Sequence, residues 1–260
     1  MFKRGDESKN RFSYKPRNAE QLNKRATQSG GLRDSYVKNE FSMFSAKEGA
    51  AVKMRILPPT WSDEPEHWGM DIYVHYGIGP DNAAYLCKSK MKEENCLICD
   101  ERLKAEKEGE SDYAKTLAPN KRVLIWLIDR NKDDVGPLLW AMPWTVDRDI
   151  CKISIDDSGT IIQLDDPENG YDVLFTREGS AQKTKYTGIQ VARRSTPLGK
   201  DEWLNFVVKN PLPSVLNFFD EDHIKAVFTG KHSEEKESIT QKNEIPSNKE
   251  PIENKEVSEE

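Results

Sequence analysis

Short runs in which apolar and polar residues alternate recur through the middle of the chain, the period-two signature of half-buried strands. Residues 50–57, Ala50-Ala51-Val52-Lys53-Met54-Arg55-Ile56-Leu57, alternate and stop at Pro58-Pro59. Runs at 71–76 and 84–88 read as short strands, and the apolar run at 123–129 reads as a central one. The stretch 138–146 is aromatic-rich and strand-like, with Pro143 placing an edge or a bulge there. Residues 171–177 and 186–193 alternate on either side of the turn-like Glu178-Gly179-Ser180. Helical signals are fewer. Residues 100–110 read as a helix after a cysteine pair, and Asp220 reads as the N-cap of a helix over 221–229 stopped by Gly230. Many short strands with few helices predict a mainly β domain, a barrel or sandwich of about 180 residues.

The two ends of the chain lack such patterns. Residues 1–38 are rich in Asn, Gln, Ser, Lys and Arg, with a short helix predicted near 19–26. Residues 233–260 are rich in Glu, Lys, Ser and Asn. Such composition does not supply a core, so both ends are predicted to be disordered around a folded region at 39–232.

Charge is polarised along this plan. The 260 residues carry 39 Lys+Arg and 45 Asp+Glu, net −6. The first 38 residues are net +6, the last 28 are net −5, and the middle is net −7. A basic arm, a middle domain and an acidic tail fit a nucleic-acid-handling protein, although solvated tails alone give the same pattern. An acidic middle requires any nucleic-acid site there to be a local groove. The longest apolar run is six residues, 123–128, against about 20 for a membrane span. No apolar segment follows the basic residues of the N-terminus, so a secretory signal is not expected. Four cysteines are too few for a disulfide scaffold, and a reduced cytoplasmic protein is expected.

The most specific chemical signal is a His–Cys constellation. Eleven residues separate His75 from Cys87, eight separate Cys87 from Cys96, and two separate Cys96 from Cys99. A Cys-x-x-Cys knuckle can turn both thiolates toward one ion, and His75 and Cys87, on flanking strands, would complete a tetrahedron. One His with three Cys makes a closed set, which predicts one structural Zn2+. The alternative is a set of reduced thiols and a surface histidine. His67, in a Pro/Glu-rich loop, is the rival nitrogen ligand, and Cys151 reads as an ordinary packed thiol.

Catalytic patterns are missing. A zinc deaminase needs His-x-Glu and Pro-Cys-x-x-Cys, whereas Tyr76-Gly77 follows His75 and Asn95 precedes Cys96. There is no HExxH, Walker A or GxSxG motif. The expectation is a protein that is not an enzyme.

Binding single-stranded nucleic acid needs cations for phosphates and flat rings for bases. Lys53 and Arg55 alternate with apolar residues, Lys121 and Arg122 open the strand carrying Trp126, and Trp140 and Trp144 precede Arg148. Lys183, Lys185, Tyr186, Arg193 and Arg194 cluster around the strand that carries Tyr186. Trp126 lies in an apolar run and is expected to be core, as Tyr73 and Phe175 would be; Tyr186, between Lys185 and Thr187, reads equally as core or surface. The candidate DNA-contacting set is Lys53, Arg55, Lys121, Arg122, Trp144, Lys183, Lys185, Tyr186 and Arg193.

With these residues in view, the chain resembles the helix-destabilising single-stranded DNA-binding proteins of tailed bacteriophages, the type encoded by gene thirty-two of the T-even phages. The spacing of His75, Cys87, Cys96 and Cys99 carries most of the likeness. The segment Ala51-Val52-Lys53-Met54-Arg55-Ile56-Leu57-Pro58 is similar to that family's first barrel strand, and residues 169–179 followed by Lys185-Tyr186 are similar to a later strand pair. The likeness spans roughly 45–230.

The resemblance implies an OB-fold barrel with a zinc-bearing insertion at about 72–112 and a cleft for one DNA strand. By position it implies DNA contacts at Arg55, Lys121, Arg122 and Tyr186. It implies self-association along DNA through the N-terminal arm, with Lys3, Arg4, Lys24 and Arg25 as the interaction residues. It further implies recruitment of replication proteins through the acidic tail, which would also cover the DNA site. The setting would be replication, recombination and repair of phage DNA in the cytoplasm of an infected bacterial host. A zinc-containing interaction or transcription-regulating module is the alternative, and a magnesium-dependent nuclease a third reading.

Overall fold

The computed structural model describes residues 35–62, 66–180 and 183–228. The basic arm with Lys3, Arg4, Lys24 and Arg25, the helix expected near 19–26, Gly230 and the acidic tail lie outside the described residues.

The fold is mainly a seven-stranded antiparallel sheet. Its strands are β1 (Ala51–Ile56), β2 (Met70–Ile78), β3 (Ala83–Leu86), β4 (Asn120–Asp129), β5 (Pro137–Pro143), β6 (Val173–Glu178) and β7 (Lys185–Val191). The order is β3-β2-β4-β1-β6-β7, with β5 paired to β4 off this path. The central position of β4 follows from its sequence: residues 123–128 are all apolar and all buried, so both faces need cover. The first half of β4 pairs with β2 (Leu124 opposite Met70, Asn120 opposite Val74) and its second half with β1 (Leu127 opposite Ile56). Its other side pairs with β5 from Arg122–Pro143 to Ile128–Pro137.

No pairing among the described residues closes this sheet, so it is open where a barrel was expected. A helix, α4 (Trp144–Ile153 after three in the preceding lobe), contacts β7, β4 and β5. This also corrects the strand expected to run to residue 146. The strand ends at Pro143, which becomes the helix N-cap. Val146 and Ile150, one helical turn apart, are buried on the face that meets the sheet. The helix α5 (Asp201–Lys209) was likewise not anticipated; it carries buried Trp203 and Val207 at the same spacing.

One core lies on each side of the sheet. On one side Ile72, Leu124, Trp126 and Ile128 meet Trp203 and Val207 of α5 and Leu212 and Val215 of α6 (Leu212–Val215). Trp126 is core as its apolar setting predicts, and its indole N–H donates to the carbonyl of Asn210 at 2.9 Å. On the other side Val52, Met54, Ile56, Ile125 and Phe175 meet Val146 and Ile150.

A third, small core belongs to a lobe built on the β2–β3 hairpin and the helices α1 (Lys88–Lys92), α2 (Leu97–Lys107) and α3 (Ser111–Thr116). The last helix, α7 (Glu221–Phe228), closes this lobe with Ile224 and Val227. Asp220 caps it, its carboxylate accepting from the His223 N–H at 2.7 Å. Gly79 is required under α7: its φ is +68°, and a Cβ there would strike the Val227 side chain.

Candidate metal centre and basic face

His75 sits near the middle of β2, opposite Tyr85 of β3, and is fully buried. Its Nδ1 donates to the Leu117 carbonyl at 2.7 Å. That bond fixes the tautomer with the proton on Nδ1 and leaves the Nε2 lone pair facing the thiols. Nε2 lies 3.5 Å from Cys96 Sγ and 3.7 Å from Cys99 Sγ, and Cys87 Sγ lies 3.5 Å from Cys99 Sγ.

These separations test whether a metal fits. A tetrahedral ion with bonds of about 2.3 Å to sulfur and about 2.0–2.1 Å to nitrogen has edges of about 3.5–3.8 Å. The three separations above match those edges before any ion is added. All four donors lie within 4.8 Å of one another, so this buried set can hold a metal ion.

Local structure delivers the cysteines. Cys87, one residue beyond β3 rather than on it, is the N-cap of α1, and Cys96 is the N-cap of α2. Cys99 follows within the first turn of α2. Helix N-termini favour negative charge, which suits thiolates. Hydrogen bonding from Cys96, His75, Ser89 and the Lys90 backbone pulls the Cys87 thiol down to about 3 against the cost of burial. The same contact with Cys87, together with burial, pushes Cys96 up. Burial also raises Cys99. Ser89 Oγ lies 3.3 Å from Cys87 Sγ and 3.5 Å from Cys99 Sγ, positioned to orient both.

His67, the rival nitrogen ligand, is not part of this cluster. One sequence expectation changes: Cys151 is not an isolated thiol. His67 Nε2 lies 3.1 Å from Asp147 Oδ1 and 3.6 Å from Cys151 Sγ. Burial would lower the imidazole, but its contacts with Asp147 and Cys151 raise it to about 10. No sequence pattern announced this set, because its members come from a loop and from a helix whose first residues read as the end of a strand.

The expected DNA-contacting residues divide sharply. Arg55 is 1% exposed. Its Nη2 contacts Asp172 at 2.9 Å, the Gly170 carbonyl at 2.9 Å and Thr196 Oγ1 at 2.8 Å. A guanidinium enclosed and committed in this way serves the fold, so Arg55 leaves the contact set. Arg55 and Lys53 share a face of β1 and both reach Asp172, but the Lys53 side chain, 3.2 Å from that carboxylate, is 45% exposed while Arg55 is enclosed.

Lys121 pairs with Asp71 across the β2–β4 register, at 2.6 Å. Arg122 lies over the Tyr76 ring, 5.5 Å from its centroid. Burial raises the hydroxyls of Tyr36 and Tyr186, and the Arg122 charge opposes it; Tyr76 packs against one core and Tyr186 against the core on the other side of the sheet. Tyr186 is half-buried, packed 5.7 Å from Trp140 and 5.6 Å from Phe175. Trp144 is 45% exposed at the start of α4, with the Arg148 guanidinium 5.2 Å from its ring. Lys183, Lys185 and Arg193 are exposed. Lys185 opens β7 and Arg193 lies two residues beyond its end, so the length of that strand, about 20 Å, lies between them. Tyr76 was missing from the expected set; its only signal was its place next to His75.

No protein-family model matches the chain, and no curated protein is found to be similar to it. Among the described residues, no helix is long and apolar enough to cross a membrane.

Proposed function

We propose that this protein binds single-stranded DNA without sequence preference and without catalysis, through an elaborated OB-type fold stapled by one structural Zn2+. The observation that carries this reading is the Arg122 guanidinium lying over the Tyr76 ring. Such a cation–ring arrangement suits a strand whose phosphates need charge and whose bases need a flat partner. Trp144 with Arg148 offers a second pair of the same kind. The metal connects to this face through β2: His75 and Tyr76 are successive strand residues and point to opposite faces. A zinc ion on His75 therefore holds the segment that presents Tyr76, giving the closed site a role without chemistry at the metal.

The wider role follows the phage resemblance. The protein coats and protects single strands during phage replication, recombination and repair in the host cytoplasm. The basic arm links neighbouring copies, and the acidic tail recruits replication proteins.

The test is a salt titration of binding to labelled oligonucleotides, single-stranded and duplex, of equal length and composition. Single-strand preference, quenching of tryptophan fluorescence and a log–log salt slope near −0.7 per phosphate contacted are the expected results. Equal or tighter binding to duplex would overturn this reading and favour a zinc-containing regulatory module. Metal-dependent degradation of the oligonucleotide would favour a nuclease.

A further inference from the structure

The second cluster of ligating side chains lies outside the Cys3His centre. Asp147 and Cys151 are four residues apart and share one face of α4, a spacing that lets two side chains chelate one ion. His67 approaches that face from the loop before β2. Three separations define the cluster: His67 Nε2 to Asp147 Oδ1 3.1 Å, His67 Nε2 to Cys151 Sγ 3.6 Å, and Cys151 Sγ to Asp147 Oδ2 4.0 Å.

Those lengths are close to the edges of a tetrahedron around an ion with bonds of about 2.0–2.2 Å to nitrogen and oxygen and about 2.3 Å to sulfur. Two further features point the same way. Asp147 Oδ1 is buried, and the atom set against it is His67 Nε2 at 3.1 Å. The far ring nitrogen, Nδ1, lies 3.2 Å from the Gly69 carbonyl. A histidine that ligates through Nε2 commonly donates Nδ1–H to such a carbonyl. The Gly69 N–H lies 2.9 Å from the same nitrogen, so residue 69 holds the ring from both of its backbone groups.

We propose that His67, Asp147 and Cys151 form a second transition-metal site that takes Zn2+ or Co2+. It differs in kind from the first. Three protein donors, all partly exposed, leave a fourth position open to water, whereas the Cys3His set is complete and buried. Binding here is therefore weaker and exchangeable. This inference does not rest on the DNA-binding reading.

The experiment is metal stoichiometry of the full chain, dialysed against micromolar free Zn2+ and titrated in parallel with Co2+. Wild type is expected to hold two equivalents of zinc. In the Co2+ titration the first equivalent develops thiolate-to-metal absorption from three sulfurs, and the second adds that of one. H67A and C151S are expected to keep the first equivalent and lose the second, while C96S loses the first. Saturation of wild type at one equivalent in both titrations would overturn the proposal, as would a second equivalent that survives in both H67A and C151S. Should either variant fail to fold, the wild-type stoichiometry and the three-to-one absorption ratio still decide the question.

Discussion

Arg55 and Asp172 meet inside the protein, Nη2 to Oδ1 at 2.9 Å, with side chains 1% and 3% exposed. The carboxylate of Asp172 also receives Arg130 and Lys53, each at 3.2 Å. The link ties β1 to the segment that leads into β6 and to the Gly170–Thr196 contact.

Removing one partner of such a pair strands the other without compensation, at a cost of about 3–5 kcal/mol. D172A is expected to show that loss in urea unfolding, as a lower midpoint with the slope retained. K53A removes only an exposed contribution and is expected to cost at most about 1 kcal/mol. Equal effects of the two substitutions would show that the interior pair is not what holds this junction.

Metal removal should act on the lobe before the sheet. C96S, or a strong chelator, is expected to lower the melting temperature and speed amide exchange over 75–117 and 221–228, where the small core depends on the metal ligands. The β1–β4–β5 amides should stay protected. Unchanged exchange in the lobe after verified metal loss would mean that its apolar core suffices alone.

The exposed pair on α4 separates stacking from charge. W144A is expected to leave stability within about 0.5 kcal/mol of wild type and to weaken single-strand binding by about 1–3 kcal/mol. R148A should instead flatten the salt slope by about 0.7. Affinity and slope that both stay fixed would remove α4 from the proposed interface.

Gly79 offers a test of how α7 docks. Both its positive φ and the Val227 contact oppose a side chain. G79A is expected to cost more than about 1 kcal/mol and to increase exchange in α7. A stability equal to wild type would show that α7 moves aside without penalty.

Deleting residues 233–260 removes net charge −5. If those glutamates compete with phosphate for the basic face, the truncated chain should bind single-stranded DNA more tightly at low salt and converge with wild type at high salt. Parallel salt curves would rule out that competition.

The sequence by itself determined the strands and the four residues that can hold a metal ion. Alternation with period two located β1, β2, β6 and β7, and unbroken apolarity marked β4 as central, because those patterns follow directly from which faces must be buried. The Cys96–Cys99 spacing announced the metal cluster because a local helix turn sets most of its geometry. The tertiary structure alone decided the open sheet, the helix after Pro143, the burial of Arg55 and the meeting of His67 with Asp147 and Cys151. Each depends on contacts between segments far apart in the chain. Alternation gives the face of a strand but not what covers it, so Arg55 and Lys53 look alike in sequence while only one is enclosed.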